Sequence, residues 1–184
     1  MSKQLLNIWT IGHGNRSGDE FVQLLRQAGV ECLVDVRSYP GSRRNPQFSR
    51  EPLASLLANH GIQYKWEGEG LGGFRKPKAD SKHVALKSEG FRGYADYMES
   101  AEFKQAIERL IEEAKQTKIA CMCAERLPWQ CHRYLISDYL VTQDVTVVHL
   151  IAPGKTQEHA LNPIAHVQNH LLVYDAKTQF ELGL

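Results

Sequence analysis

The feature that most constrains the fold is an alternation of short apolar runs with longer amphipathic segments. Five runs have the length of a β-strand and occupy residues 5–11, 32–36, 62–66, 119–123 and 145–151. In the run at 32–36, every residue except Asp35 is apolar and there is no strict alternation, which is typical of a parallel strand that helices cover on both faces. The run at 145–151 is rich in β-branched residues, which favour strands.

Helical patterns occupy the segments between these runs. Ser17 and Glu20 have the spacing of a capping box, and the apolar residues that follow have helical periodicity up to Gly29. Similar patterns predict helices near residues 53–60, 91–98, 103–114 and 131–140. Because parallel strands need crossover helices, the alternation predicts an α/β fold: a Rossmann-like three-layer sandwich with a mainly parallel sheet of about five strands.

Length and composition indicate one domain with an extension. The chain has 184 residues, of which 42% are apolar and 23% are charged, as in an average globular domain. We predict a single α/β domain over residues 1–151. The remaining residues, 152–184, are predicted to form a C-terminal extension that packs on the domain or on a second subunit, which leaves a homodimer open.

Charge and cysteine content limit the partners and the compartment. A formal net charge of +1 gives no global attraction to nucleic acid or to a membrane surface, so any basic site must be local. No apolar stretch approaches the ~20 residues that span a bilayer. Four cysteines without a signal-peptide pattern favour a reducing compartment, so we expect a cytoplasmic protein without a membrane partner.

Polar residues follow three of the predicted strands. They are Gly12 to Asn15 after the first strand, Asp35 and Arg37 at the end of the second, and Cys123 and Glu125 at the end of the fourth. In open parallel sheets, ligands bind beyond the carboxyl ends of the strands. We therefore expect these residues to meet at one edge of the sheet.

Several separated motifs resemble one family. They are TIGHG at 10–14, LVDVR at 33–37, SRRNPQF at 42–48, LGG at 71–73, YADYM at 94–98, CAE at 123–125 and CHR at 131–133. In this order they resemble the bacterial proteins grouped as domain of unknown function 488, over about residues 8–151. The resemblance implies an α/β fold and a shared polar site but no settled activity. Family members often carry a serine after the histidine, so Gly14 is a departure that removes a hydroxyl.

The loop of Gly12, His13, Gly14 and Asn15 is a candidate anion site. Its backbone N–H groups precede the first predicted helix, whose dipole favours an anion. The loop lacks the third glycine of a dinucleotide fingerprint and the lysine of a P-loop. The alternative interpretation is an ordinary turn between a strand and a helix.

A second candidate anion site is the arginine-rich loop after the second strand. Arg37, Arg43 and Arg44 lie close to Ser42 and to aromatic residues. Guanidinium groups bind phosphate in a bidentate way, and aromatic rings stack on bases. Unless the loop is merely solvated, it predicts a local site for phosphate or a nucleotide.

The segment at residues 121–133 allows metal or thiol chemistry. Cys121, Cys123, Cys131 and His132 are good zinc ligands, but their spacing does not match a paired knuckle and Cys121 lies inside a buried strand. We therefore predict neither zinc nor any other cofactor. Cys123 is also a candidate nucleophile, although the Cys-x5-Arg spacing of some phosphatases is absent and Glu125 disfavours a thiolate.

A third interpretation assigns the chemistry of this segment to carboxylates. Glu125 and Asp35, with His132 and Arg133 as partners, provide an acid and a base or nucleophile if their pKa values are driven apart. The alternative is a structural network of ion pairs.

We predict an enzyme of hydrolase or glycosyl-transfer type that acts on a nucleotide, a nucleoside or a nucleic-acid base. The competing hypotheses are a non-catalytic module that senses an anionic ligand, and a cysteine- or metal-dependent enzyme. The glycine-rich segment at 67–90 suits a lid over the site or a disordered loop.

Overall fold

A computed structural model describes residues 6–175, and predictions that fall on residues 1–5 or 176–184 lie outside this range. The main sheet contains β1 (Leu6–Gly12), β2 (Cys32–Asp35), β3 (Gln63–Trp66), β4 (Ile119–Cys123), β5 (Val145–Ala152) and β6 (Lys155–Glu158). A second sheet pairs β7 (Ala165–Gln168) with β8 (Leu171–Tyr174). The α-helices are α1 (Gly18–Gln27), α2 (Arg50–Ala58), α3 (Gly68–Leu71), α4 (Glu89–Tyr97), α5 (Ala101–Ala114) and α6 (Arg133–Thr142).

The strand order of the main sheet is β3-β2-β4-β1-β5-β6. The first five strands in this order are parallel, and β6 pairs with β5 in the antiparallel direction. The predicted mainly parallel sheet is thus confirmed, with one additional edge strand. Because β4 lies between β2 and β1, the ends of these three strands are neighbours, and this adjacency positions the candidate site.

Three of the helices, α1, α4 and α5, begin at a serine whose side chain caps them. The Ser17 hydroxyl accepts a hydrogen bond from the backbone N–H of Glu20, 3.1 Å away, at the start of α1. Ser88 and Ser100 cap α4 and α5 in the same way. Such a cap contributes about 1 kcal/mol because it satisfies an N–H that has no partner within the helix.

Two apolar layers enclose the sheet. On one face, α1 and α2 pack Phe21 and Leu53 against Leu33 of β2. On the other, α4, α5 and α6 supply a larger core that includes Tyr94 and Phe103. Burial of one such side chain stabilises the fold by about 1.5–3 kcal/mol. The predicted three-layer arrangement is confirmed.

Part of the C-terminal extension contacts the same core. Tyr174 of β8 is fully buried, and its hydroxyl donates a hydrogen bond of 2.9 Å to Asp138 of α6. Its backbone carbonyl accepts a hydrogen bond from the N–H of Ala85. Asn169 and His170 have positive φ angles of 50° and 62° between the two strands, as a tight hairpin requires. Through residue 175, the extension therefore closes one side of the helical layer.

None of the helices among residues 6–175 combines the length and the apolar character that crossing a membrane requires.

Candidate active site

The carboxyl ends of β1, β2 and β4 bring three polar segments together. Gly12 pairs with Cys123 in the sheet register, and the N–H of His13 donates to the carbonyl of Cys123 at 3.1 Å. On the other side of β4, the N–H of Val36 donates to the carbonyl of Met122 at 3.0 Å. The segments that follow the three strands therefore lie at one edge of the sheet.

A cleft of about 840 Å³ opens at this edge. Its volume falls within the range of small-molecule sites. Residues from five parts of the chain line it: His13, Gly14, Asn15, Arg37, Ser38, Tyr39, Gly41, Ser42, Arg44, Asn45, Gly73, Phe74, Ser88, Gly90, Phe91, Tyr94, Cys123, Ala124, Glu125, Gln130, Cys131 and His132.

Two thiols and one imidazole form a compact cluster, here called the thiol-imidazole cluster, in the wall of the cleft. The Nδ1 atom of His132 lies 3.7 Å from the sulfur of Cys123 and 3.9 Å from the sulfur of Cys131. All three atoms lie within 4.8 Å of one another. The cluster thus concentrates nucleophilic and metal-binding atoms at one point.

The backbone of β2 sets the orientation of His132. Its Nε2 atom lies 3.0 Å from the carbonyl oxygen of Val36. Because a carbonyl only accepts hydrogen bonds, we assign the ring proton to Nε2, which leaves the lone pair on Nδ1 in the neutral ring. The ring of Tyr94 packs edge-on at 4.9 Å and restricts rotation of the imidazole. The lone pair therefore points at the two sulfurs.

The two thiols of the cluster differ in acidity. A hydrogen bond from Cys131, with further help from Arg133, holds the pKa of Cys123 well below its usual range, against the effect of burial. Burial and the neighbouring Cys123 raise the pKa of Cys131 well above its usual range. Burial also raises the pKa of Cys121, to about 12, so this thiol remains protonated inside the sheet.

Asp35 and Arg37 form a buried ion pair beneath the cleft. The Nε and Nη2 atoms of Arg37 donate to the two oxygens of Asp35 at 2.9 and 2.6 Å. The Tyr64 hydroxyl also donates to Asp35, and Arg37 donates to the carbonyl of Phe48. Asp35 is fully buried and is absent from the cleft lining. Its carboxylate therefore positions Arg37 rather than facing the cleft.

His13 links this ion pair to the cleft. Its Nδ1 atom lies 2.9 Å from the carbonyl oxygen of Gly14, and its Nε2 atom lies 3.4 Å from Nη1 of Arg37. The ring stacks on Phe48 with a centroid distance of 4.6 Å. Burial lowers the pKa of His13, which favours a neutral ring that accepts from Arg37.

Arg133 and Glu125 are not paired through their charges. Arg133 is 1% exposed, and its guanidinium donates to the backbone carbonyls of Glu125 and Arg126 at 2.6 and 3.0 Å. It therefore holds the loop that follows β4. The carboxylate of Glu125 is exposed at the cleft, and no hydrogen bond or ion pair within residues 6–175 engages it.

The loop at residues 12–15 packs against the segment that follows β4, and two of its backbone N–H groups form hydrogen bonds there. The N–H of His13 donates to Cys123, and the N–H of Gly14 donates to the carbonyl of Ala124 at 2.8 Å. These two groups are consequently not available to an anion, in contrast to the predicted role of the loop. Gly12 permits this contact, because a Cβ there would lie 1.7 Å from the carbonyl oxygen of Glu125.

Only some residues of the arginine-rich loop line the cleft. Arg44 and Ser42 line the cleft, whereas Arg43 is exposed outside the lining. The Ser42 hydroxyl accepts from the N–H of Asn45 at 3.0 Å, which shapes the loop locally. Arg44 is thus the exposed cationic side chain that the loop presents to the cleft.

The glycine-rich segment at 67–90, which the sequence offered as a lid or a disordered loop, contributes Gly73 and Phe74 to the cleft lining. Ser38 donates to the carbonyl of Gly73 at 2.9 Å, and the Tyr94 hydroxyl donates to the carbonyl of Leu71 at 2.7 Å. These bonds place Phe74 at the cleft beside Tyr39, with ring centroids 6.0 Å apart. The sequence signals for this arrangement are the LGG motif at 71–73 and the YADYM motif at 94–98.

Fold and site together define a Rossmann-like α/β protein with a polar cleft at the carboxyl ends of its parallel strands. Residues 17–140 match the family model described as Domain of unknown function DUF488. This match spans more than half of the chain, so the protein belongs to the DUF488 family, as its motifs predicted. No curated protein and no solved structure matches the chain.

Proposed function

We propose that the protein is an enzyme of hydrolase or transferase type that acts on a nucleotide, a nucleoside or a nucleic-acid base. One observation carries this proposal: the thiol-imidazole cluster lies in the wall of a cleft that also presents a cationic side chain and exposed aromatic rings. Reactive groups and groups that recognise a phosphorylated base thus share one cavity.

The cleft supplies two kinds of binding group. Arg44 offers a guanidinium group to a phosphate, with the polar side chains of Asn15 and Ser42 also in the lining. Tyr39 and Phe74 are 76% and 86% exposed, and their rings offer planar surfaces for a base. A ligand that is anionic at one end and aromatic at the other satisfies both groups.

The reacting groups are Glu125, Cys123 and His132. Glu125 presents a free carboxylate at the cleft as a general acid or base. Cys123 and His132 line the same cleft, with the sulfur 3.7 Å from the Nδ1 atom. Asp35 and Arg133 act as positioning residues, since one holds Arg37 and the other holds the loop of Glu125.

Parallel binding and turnover measurements test the proposal. Purified protein is titrated by calorimetry with nucleosides, nucleoside monophosphates and free bases, and each compound is then assayed for cleavage or group transfer. We expect turnover of at least one class and a loss of about 100-fold or more in kcat for Glu125→Gln. Glu51→Gln, which alters an exposed glutamate of α2, is the control and should retain full activity.

Two results would contradict the enzyme proposal. Tight binding without turnover, unaffected by Glu125→Gln, would indicate a module that senses an anionic ligand through the same cleft. Absence of binding by every compound in the panel would remove the nucleotide-like substrate class altogether.

A further inference from the structure

The geometry of the thiol-imidazole cluster is that of a metal site. In a tetrahedral zinc site with Zn–S and Zn–N bonds of about 2.3 and 2.05 Å, a sulfur and a nitrogen ligand are about 3.6 Å apart. The corresponding distances from Nδ1 of His132 are 3.7 Å to Cys123 and 3.9 Å to Cys131. Both distances differ from the tetrahedral edge by only a few tenths of an ångström.

The nitrogen ligand is already oriented. Metal-bound histidines usually donate their second ring N–H to a carbonyl or a carboxylate, which fixes the tautomer and the ring plane. His132 has this arrangement, because its Nε2 atom lies 3.0 Å from the carbonyl oxygen of Val36. The lone pair on Nδ1 then faces the sulfurs, where a cation would need it.

The sulfur of Cys131 also accepts hydrogen bonds from Arg133. The backbone N–H and the Nη1 atom of Arg133 donate to the sulfur of Cys131 at 3.4 and 3.5 Å. Hydrogen bonds from cationic and backbone donors stabilise a thiolate. The buried guanidinium of Arg133 thus favours the charged form of the sulfur that a metal requires.

The cluster has three protein ligands. Cys121 faces the same side of β4 as Cys123, but it lies two residues, or about 6.6 Å, deeper in the sheet. Among residues 6–175, no group of His, Cys, Asp and Glu ligand atoms other than Cys123, Cys131 and His132 converges this closely. Three protein ligands beside a cleft are typical of catalytic zinc sites, in which water or substrate takes the fourth position.

We propose that Cys123, Cys131 and His132 bind one thiophilic divalent cation, with Zn²⁺ as the best match, and that the fourth position faces the cleft. The cation is held by two thiolates and a neutral imidazole, so any proton still on either thiol is released when the cation binds. Through the function proposed above, the cation would polarise an oxygen of the substrate or activate a water molecule. The sequence spacing argued against zinc because it does not match a paired knuckle. The spacing does not reveal that the loop after β4 brings residues 131 and 132 back to the end of that strand.

Metal alone is the probe for the direct test. Chelator-stripped protein is titrated with Zn²⁺ by calorimetry in the presence of a competing chelator. We expect one ion per chain, and an affinity about 100-fold or more lower in Cys131→Ser and in His132→Ala. Cys32→Ser is the matched control, since Cys32 is a buried cysteine outside the cluster, and this variant should bind like the wild type.

A second measurement needs no variant and so does not depend on whether the variants fold. Stripped and zinc-loaded wild-type proteins are treated with an alkylating reagent, and the labelled cysteines are mapped by mass spectrometry. We expect zinc to protect Cys123 and Cys131 together. Equal labelling of both residues with and without zinc, or the absence of a one-to-one complex, would overturn the metal site.

The outcomes also separate this inference from the proposed function. One-to-one zinc binding without turnover of any nucleotide-like compound would support the metal site and count against the enzyme proposal. Turnover by stripped protein that binds no zinc would overturn the metal site and leave Cys123 to be tested as a nucleophile through Cys123→Ser.

Discussion

The Nδ1 atom of His132 lies 3.7 Å from the sulfur of Cys123, although nine positions separate the two residues in the chain. The contact depends on the loop after β4, which Arg133 holds through the carbonyls of Glu125 and Arg126. The candidate active site is therefore a property of this loop as much as of the sheet beneath it.

Gly12→Ala is expected to destabilise the protein by displacing the loop that follows β4. The added Cβ would lie 1.7 Å from the carbonyl oxygen of Glu125, and neither backbone can yield without moving the loop. We expect a loss of about 1–3 kcal/mol or more in the free energy of unfolding, measured by chemical denaturation. Gly41→Ala adds a Cβ with no neighbour within 4 Å and should unfold like the wild type. Equal stability of the two variants would contradict the close approach.

Arg44→Ala is expected to weaken the binding of a phosphorylated ligand about tenfold or more, because a guanidinium–phosphate contact is lost. Arg43→Ala removes the same charge from the neighbouring exposed arginine, which lies outside the cleft lining, and should bind nearly as tightly as the wild type. Calorimetric titration with a nucleoside monophosphate at two salt concentrations makes the comparison. Similar losses in both variants would mean that the loop acts only through its overall charge.

Phe74→Asn is expected to separate binding from stability. Phe74 has a φ angle of 61°, which asparagine adopts more readily, so the variant should be as stable as the wild type or more stable by up to about 1 kcal/mol. The affinity for nucleosides should nevertheless fall about fivefold or more, because a stacking surface is lost. Thermal unfolding and nucleoside titration measure the two effects. A variant that keeps its affinity would exclude Phe74 as a stacking residue.

Stability is expected to fall as the pH is lowered below about 6.5, the pKa of a histidine in an unfolded chain. His149 is buried; its Nδ1 atom lies 2.7 Å from the Thr10 hydroxyl, and its Nε2 atom lies 2.9 Å from Nδ1 of His159. Burial, with help from His159 and Arg133, lowers its pKa to about 3. Between these pH values the unfolded chain binds a proton that the folded chain does not, which costs up to about 1.4 kcal/mol per pH unit.

Denaturation curves from pH 7 to pH 4 measure this slope. His149→Gln should reduce the slope of the free energy of unfolding against pH by the equivalent of about one proton. His60→Gln, a change at an exposed histidine, should leave the slope unchanged. A slope that is the same in His149→Gln as in the wild type would show that other groups are responsible.

The regular parts of the fold were predictable because their signals are local. The apolar runs mark β1, β2, β4 and β5, and Ser17 with Glu20 marks the start of α1. The insertion of β4 between β2 and β1 was not predictable in this way, since a crossover connection leaves no local signal of which neighbour it joins. The strands β6 to β8 were also not predicted.

The location of the site was predictable from the sequence, but the hydrogen bonds within it were not. The rule about strand ends placed His13, Arg37 and Cys123 at one edge of the sheet, where they lie. The hydrogen bonds of Asp35 and the backbone bonds of Gly14 depend on contacts between distant segments. These contacts decide which polar groups are already bound within the protein and which remain free for a ligand.

We propose that the cleft lined by the thiol-imidazole cluster binds a nucleotide-like ligand. Mapping of chemical-shift changes by nuclear magnetic resonance, during titration of wild-type protein with a nucleoside monophosphate, tests it most directly. We expect the largest changes at Gly14, Gly73 and the imidazole of His132, with little change at the opposite edge of the sheet. Changes confined to other surfaces, or none at saturating ligand, would show that the cleft does not bind such a ligand.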